Sequence, residues 1–174
     1  MKIHPQTKGN MSALADVLTH QNVGMLTLQH PVSSLASRPM TPIEMDASGA
    51  IWFIAARDTL PRPTDGQPLT VNLAFANQAD GDYVSISGMA TLVDDAARKQ
   101  ALWTLAARPW FSGPEDPRMV LLQLVPQHVE IWDGPDNAAT QLLAMASSVL
   151  AGKPVGLGDK TVLDVSPSSL PGLA

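Results

Sequence analysis

Arg38 is the side chain in this sequence best suited to hold an anion. It lies in Leu35-Ala36-Ser37-Arg38-Pro39-Met40-Thr41-Pro42. Its guanidinium offers five donors in a rigid fork that matches phosphate, while Pro39 withdraws a backbone donor and fixes φ. The bulky run Ile51-Trp52-Phe53-Ile54-Ala55 follows shortly after. An anion site set beside two strands is one reading of this spacing. The other is an edge-strand proline next to a solvated arginine, and the octapeptide alone favours that one because short motifs match by chance.

Tryptophans at 52, 103, 110 and 132 supply the second chemical signal. Trp103 falls in a helical pattern and Trp52 and Trp132 in strand patterns, so all three read as core or barrel lining. Trp110 falls in a loop, Arg108-Pro109-Trp110-Phe111-Ser112-Gly113-Pro114-Glu115-Asp116-Pro117. Adjacent aromatics in a proline-rich loop cannot both hide in one direction, so one is expected to cover a planar ligand or a partner subunit.

Other chemistries find little support. Histidines 4, 20, 30 and 128 have no ligand spacing, so no metal site is expected. Gly-x-Ser-x-Gly, phosphate-loop and dinucleotide fingerprints are missing. Asp94-Asp95 reads as a helix start and Glu115-Asp116 as loop, and neither pair needs a catalytic role. The absence of cysteine excludes disulfides, thiolate metal sites and cysteine nucleophiles. A net charge of −5 argues against nucleic-acid binding by bulk electrostatics. No apolar run is long enough to span a membrane, and the N-terminus carries no apolar signal core, so a soluble cytoplasmic protein is expected.

The elements that must position these residues follow from periodicity. With 16% charged residues, 15 prolines and 12 glycines, 174 residues read as a single domain of strands and turns. Residues 1–10 are expected to be loose. Leu14, Val17 and Leu18 predict a helix over 12–19 capped by Ser12. Strands are predicted over 23–29, over 33–45 with interruptions at Pro39 and Pro42, and over 50–56 after a turn at Ser48-Gly49. A proline-dense loop over 58–67 leads to strands over 69–76 and 83–93, the latter with Gly88 marking a bulge or close approach. A helix over 94–107 buries Leu102, Leu105 and Ala106, and a strand over 119–133 follows. A second amphipathic helix spans 136–151, and the tail over 152–174 packs on the barrel, with a short strand at 162–165. Closely spaced antiparallel strands suggest a barrel.

Several segments, in this order, resemble the general stress proteins of the pyridoxamine-5′-phosphate-oxidase-like group. They are Leu35-Ala36-Ser37-Arg38-Pro39-Met40, Gly49-Ala50-Ile51-Trp52-Phe53, Val71-Asn72-Leu73-Ala74-Phe75, Tyr83-Val84-Ser85-Ile86-Ser87-Gly88, Trp110 through Pro117, and Val129-Glu130-Ile131-Trp132-Asp133. Gly152-Lys153-Pro154 and Gly158-Asp159-Lys160 are similar as well. The resemblance implies a mainly β fold, an FMN-binding split β-barrel with flanking helices, and a homodimer with flavin sites at the subunit interface. By the same resemblance Arg38 holds the FMN phosphate, and the backbone at Pro39 and Met40 faces the flavin. Ile54 and Ala55 lie along the isoalloxazine edge, and Trp110 of the partner subunit closes over the ring.

The chain departs from that pattern where relatives carry a threonine, a serine and a lysine, reading Ala55, Thr59 and Pro61. Arg57 or Arg62 then becomes the candidate for the missing charge. An FMN-dependent oxidoreductase is the leading expectation, since the cofactor carries the redox chemistry and no side chain stands out as acid or base. A flavin-binding stress protein without turnover, and a split-barrel dimer that has lost FMN, are the alternatives. Oxidation of pyridoxamine phosphate itself is disfavoured, because no second basic cluster is present to hold a substrate phosphate.

Overall fold

The computed structural model describes residues 1–7, 9–29, 34–61, 67–77, 81–133, 147–148 and 159–165. Among these residues nine strands and two helices follow in the order β1 (Lys2–Ile3), α1 (Gly9–Leu18), β2 (Gly24–Gln29), β3 (Leu35–Met40), β4 (Glu44–Met45), β5 (Ile51–Ala56), β6 (Leu69–Asn77), β7 (Asp82–Val93), α2 (Ala96–Leu102), β8 (Met119–Asp133) and β9 (Asp159–Asp164). The strands form one sheet, ordered β1-β4-β5-β8-β7-β6-β2-β3, with β9 added to β8. All pairs are antiparallel except β1 with β4. Among the described residues the two ends of the path, β1 and β3, do not pair, so the mainly β expectation holds with a sheet that stays open.

Period-two alternation explains where the core sits. Leu26 and Leu28 on β2, Val71, Leu73 and Phe75 on β6, and Val84, Ile86 and Ala90 on β7 turn one way into a main cluster. Met11, Leu14, Ala15 and Leu18 of α1 join it. β5 is buried on both faces. Ile51, Phe53 and Ala55 enter the main cluster, whereas Trp52 packs with Met119 and Leu121 of β8, Leu102 of α2, Ala107 and Phe111 in a second one. A strand covered on both sides is apolar throughout, which is why 51–56 reads as a continuous hydrophobic run.

Gly88 does mark a bulge. The β7–β8 register shifts between Ser87 and Gly88, from Ser87 opposite His128 to Gly88 opposite Pro126. A β-carbon at Gly88 would collide with the Val125 carbonyl oxygen. The bulge divides β8: residues up to Leu124 pair with β5, and those from His128 pair with β9. The expected turn at Ser48-Gly49 is also present, with Gly49 at φ +88° and the Asp46 carboxylate accepting from the Ser48 and Ala50 amides at 2.9 and 3.2 Å.

Several expectations are corrected. Residues 1–10 are not wholly loose, because β1 pairs with β4 and α1 already begins at Gly9. Ser12 therefore lies inside the helix, its hydroxyl 3.5 Å from the Gln6 carbonyl, and does not cap it. The strand expected over 33–45 is two strands far apart in the sheet, β3 at one end and β4 beside β5. α2 ends at Leu102; Leu105 is 70% exposed and Ala106 is exposed, while Ala107 is buried instead. Trp132 is 37% exposed on the outer face of the sheet, and so is not core. The helix expected over 136–151 lies outside the described residues except at 147–148, as does the tail except at 159–165.

Candidate functional site

Arg38 sits on β3 opposite Leu26 of β2, half-buried. Its Nη1 donates to the carbonyl of Thr59. Thr59 closes a 3₁₀ turn, Arg57–Thr59, that continues directly from β5, and its hydroxyl donates to the Ala56 carbonyl at 2.7 Å. A strand at one end of the sheet is thereby tied to the turn following a strand near the other end. Among the described residues no carboxylate lies within ion-pair distance of Arg38.

This contact spans a place where two strands each lack a neighbour. β3 pairs only with β2, and β5 pairs with β8 along its length but with β4 only at Ile51 and Trp52. In antiparallel pairing successive residues aim their amide groups at opposite edges. The Ile43 amide donates to the Trp52 carbonyl and the Arg57 amide to the Arg118 carbonyl, both at 2.8 Å. Trp52, Ile54 and Ala56 therefore present their backbone groups on the edge away from β8. Ala56 receives the Thr59 hydroxyl, but Ile54 has no strand beside it there among the described residues. A backbone donor and acceptor on an open edge, near an unneutralised guanidinium, suit a planar heterocycle carrying an anion.

Other cations near this turn are engaged. Arg57 pairs with Asp94, which also pairs with the buried Lys99. The Lys99 hydrogen bond, reinforced by the charges of Lys99 and Arg57, holds the Asp94 carboxyl below its ordinary value. Phe111 is 7% exposed and Trp110 is 67% exposed, so the two adjacent aromatics do point apart. The Arg118 side chain donates at 2.7 Å to Asp116 and at 3.1 Å to the Trp110 carbonyl. The Arg118 hydrogen bond, with amides of Ser112 and Arg118, holds the Asp116 carboxyl well below the usual carboxylate range.

Four of the expected site residues are linked in this way. Arg38 meets Thr59, Arg57 belongs to the same turn, and Trp110 joins that turn through Arg118. Pro39 is exposed opposite Met25, and Met40 packs against the main core. Ala55 is 6% exposed with its side chain in the main cluster, and Ile54 packs against the second. What β5 can offer a ligand is thus the Ile54 backbone and not the Ala55 side chain. Arg62 lies outside the described residues. Asp94, Asp116 and Arg118 were not anticipated. For Asp116 a signal existed: a loop aspartate a few residues after a serine favours side-chain capture of nearby amides.

Two surface clefts lie elsewhere. One, of about 410 Å³, is bounded by Val23, Met25, Tyr83, Ser85 and Trp132 on the outer sheet face. The other, of about 470 Å³, lies among Trp103, Arg108, Phe111 and Pro114. Neither includes Arg38, Ile54 or Thr59.

A mainly β sheet left open at one seam, with a basic side chain across it, is the arrangement of a split barrel. Comparison with known proteins agrees. Residues 9–155 match the family model described as pyridoxamine 5′-phosphate oxidase like, and the chain belongs to that family. It is 27% identical over 131 residues to general stress protein 26 of Bacillus subtilis (strain 168), covering 73% of this chain and 91% of that one. A putative general stress protein 26 from Jannaschia sp. CCS1 superposes with a TM-score of 0.64 at 26% identity, covering 86% of this chain and 94% of the other. The general stress FMN/FAD binding protein of Xanthomonas citri superposes at 0.62 with 31% identity, covering 76% and 92%.

Proposed function

We propose that this chain is an FMN-binding flavoprotein of the general stress protein type, a cytoplasmic homodimer acting as an FMN-dependent oxidoreductase with flavin sites at the subunit interface. The observation that carries this reading is Arg38, without a carboxylate partner among the described residues and bonded to the turn that follows β5, the strand whose edge is open at Ile54. The flavin-binding description of the Xanthomonas citri relative supports it. Arg38 would hold the phosphate, Pro39 and Met40 would face the ring, and the Ile54 amide and carbonyl would meet its polar edge. Trp110 of the partner subunit would cover it. When bound, FMN supplies the hydride or electron chemistry, and the protein supplies binding and orientation.

Purified protein is expected to be yellow, with about one flavin per subunit and a solution mass twice that of the chain. Arg38→Ala should weaken FMN binding by about tenfold or more, because a charge-assisted contact to phosphate is lost. Colourless protein that fails to take up added FMN would overturn the reading. A second reading, a split-barrel dimer without flavin, draws on two observations: Arg57 is held by Asp94, and the Ala55 side chain is buried. Unchanged FMN affinity in Arg38→Ala would favour it.

A further inference from the structure

Asp116 is only 5% exposed although it lies in a loop, and a buried carboxylate needs strong partners. It accepts from the Ser112 amide at 3.0 Å, the Ser112 hydroxyl at 3.2 Å and the Arg118 amide at 2.9 Å. Arg118 adds Nε at 3.1 Å and Nη2 at 2.7 Å, a two-pronged grip. The same Nη2 reaches the Trp110 carbonyl at 3.1 Å. The Arg118 carbonyl accepts from the Arg57 amide at 2.8 Å, at the start of the turn whose last residue receives Arg38. The Arg118 side chain is 63% exposed, so apolar burial does not account for its position. One residue therefore joins the loop that displays Trp110 to the turn that receives Arg38.

We propose that Asp116 and Arg118 are positioning residues, a clasp that fixes the loop displaying Trp110 against the turn that receives Arg38, so that the indole each subunit extends over its partner's flavin is held in place beforehand and flavin affinity depends on the clasp. This rests on the flavin reading above. Phe111 anchors the loop from inside, and the Trp110 amide is tied to the Ala107 carbonyl at 3.0 Å. Without the clasp the indole would have to be ordered when flavin binds, and that ordering weakens binding.

Arg118→Lys keeps the charge but loses the planar fork, so it cannot grip Asp116 and Trp110 together. It should still fold, melting below the parent because the buried Asp116 loses its fork, while its FMN dissociation constant rises about tenfold. Acrylamide should quench Trp110 emission, taken as the difference from Trp110→Phe, more readily than in the parent. Combining Arg118→Lys with Trp110→Phe should weaken flavin binding less than the two single effects multiplied, since both act through one ring. Parent-like affinity with parent-like quenching, or fully independent effects, would overturn the proposal. Asp116→Asn, which keeps the side-chain shape, is judged by the same measurements and decides the matter if the lysine variant does not fold. If the parent itself takes up no FMN, the flavin reading falls, and parent-like quenching in both variants would remove the clasp as well.

Discussion

Two arginines, one on β3 and one in the turn after β5, illustrate how a side chain's neighbours decide its chemistry. Arg38 meets a carbonyl and keeps its charge uncompensated among the described residues, whereas Arg57 is neutralised by Asp94. A cation left without a counter-charge is the one able to recruit an external anion. Gly88 makes a residue-scale point about the scaffold. Its lack of a side chain admits the Val125 carbonyl at the bulge that splits β8 between β5 and β9. Gly88→Ala should therefore cost about 1–3 kcal/mol, through overpacking against backbone that cannot yield easily. Urea unfolding measures this, and unchanged stability would show that the bulge relaxes without strain.

At the scale of elements, α1 seals one side of the main core. Leu14 and Leu18 are fully buried and Met11 and Ala15 nearly so. Leu14→Ala is expected to cost about 2–5 kcal/mol, the range for emptying a packed aliphatic site, and a loss under 1 kcal/mol by the same unfolding assay would mean that the helix docks loosely. The spacing of Leu14, Val17 and Leu18 made this helix legible. Its first turn was not, because Lys8, the residue before Gly9 in the sequence, is not of a capping type. β1 was illegible for a different reason. Two residues have no period, and they are ordered by parallel pairing with β4 and by His4, 3.4 Å from the buried Glu44, which Arg98 also grips at 2.6 Å. The false helical extension to Ala107 came from apolar spacing that continues past Trp103, whereas the chain turns there and leaves Leu105 in solvent.

For the molecule as a whole, acid is the expected route to unfolding. Burial alone would raise the Asp46 carboxyl, but hydrogen bonds from Ser48 and from Trp52 at 2.7 Å outweigh it and hold it below 3.8. Asp94 and Asp116 are lowered from the same ordinary value. A carboxyl with a depressed folded value stabilises the fold fully above its unfolded pKa and loses that contribution as pH falls through the folded one. The melting temperature should thus stay level from about pH 7 to pH 5 and fall below about pH 4. Asp46→Asn should flatten part of that acid limb in a series of thermal melts. A parent protein equally stable at about pH 3 and pH 7 would contradict this assignment.

Amino-acid order alone determined much of this protein: the strand alternation, the apolar run at 51–56, the glycine marking a bulge or close approach in β7, two adjacent aromatics that cannot share one direction, and the arginine between Ser37 and Pro39. Each is a local matter of side-chain period, backbone freedom or adjacency. Only the folded sheet decided that β3 and β4, four positions apart in sequence at their nearest ends, lie toward opposite ends of the strand order. It also decided that Arg38 meets Thr59, that Asp94 takes Arg57, and that Arg118 links Trp110 to the same turn. Those contacts depend on strand register and on the seam left open between β3 and β5, which arise only when distant segments pair and which no local pattern encodes.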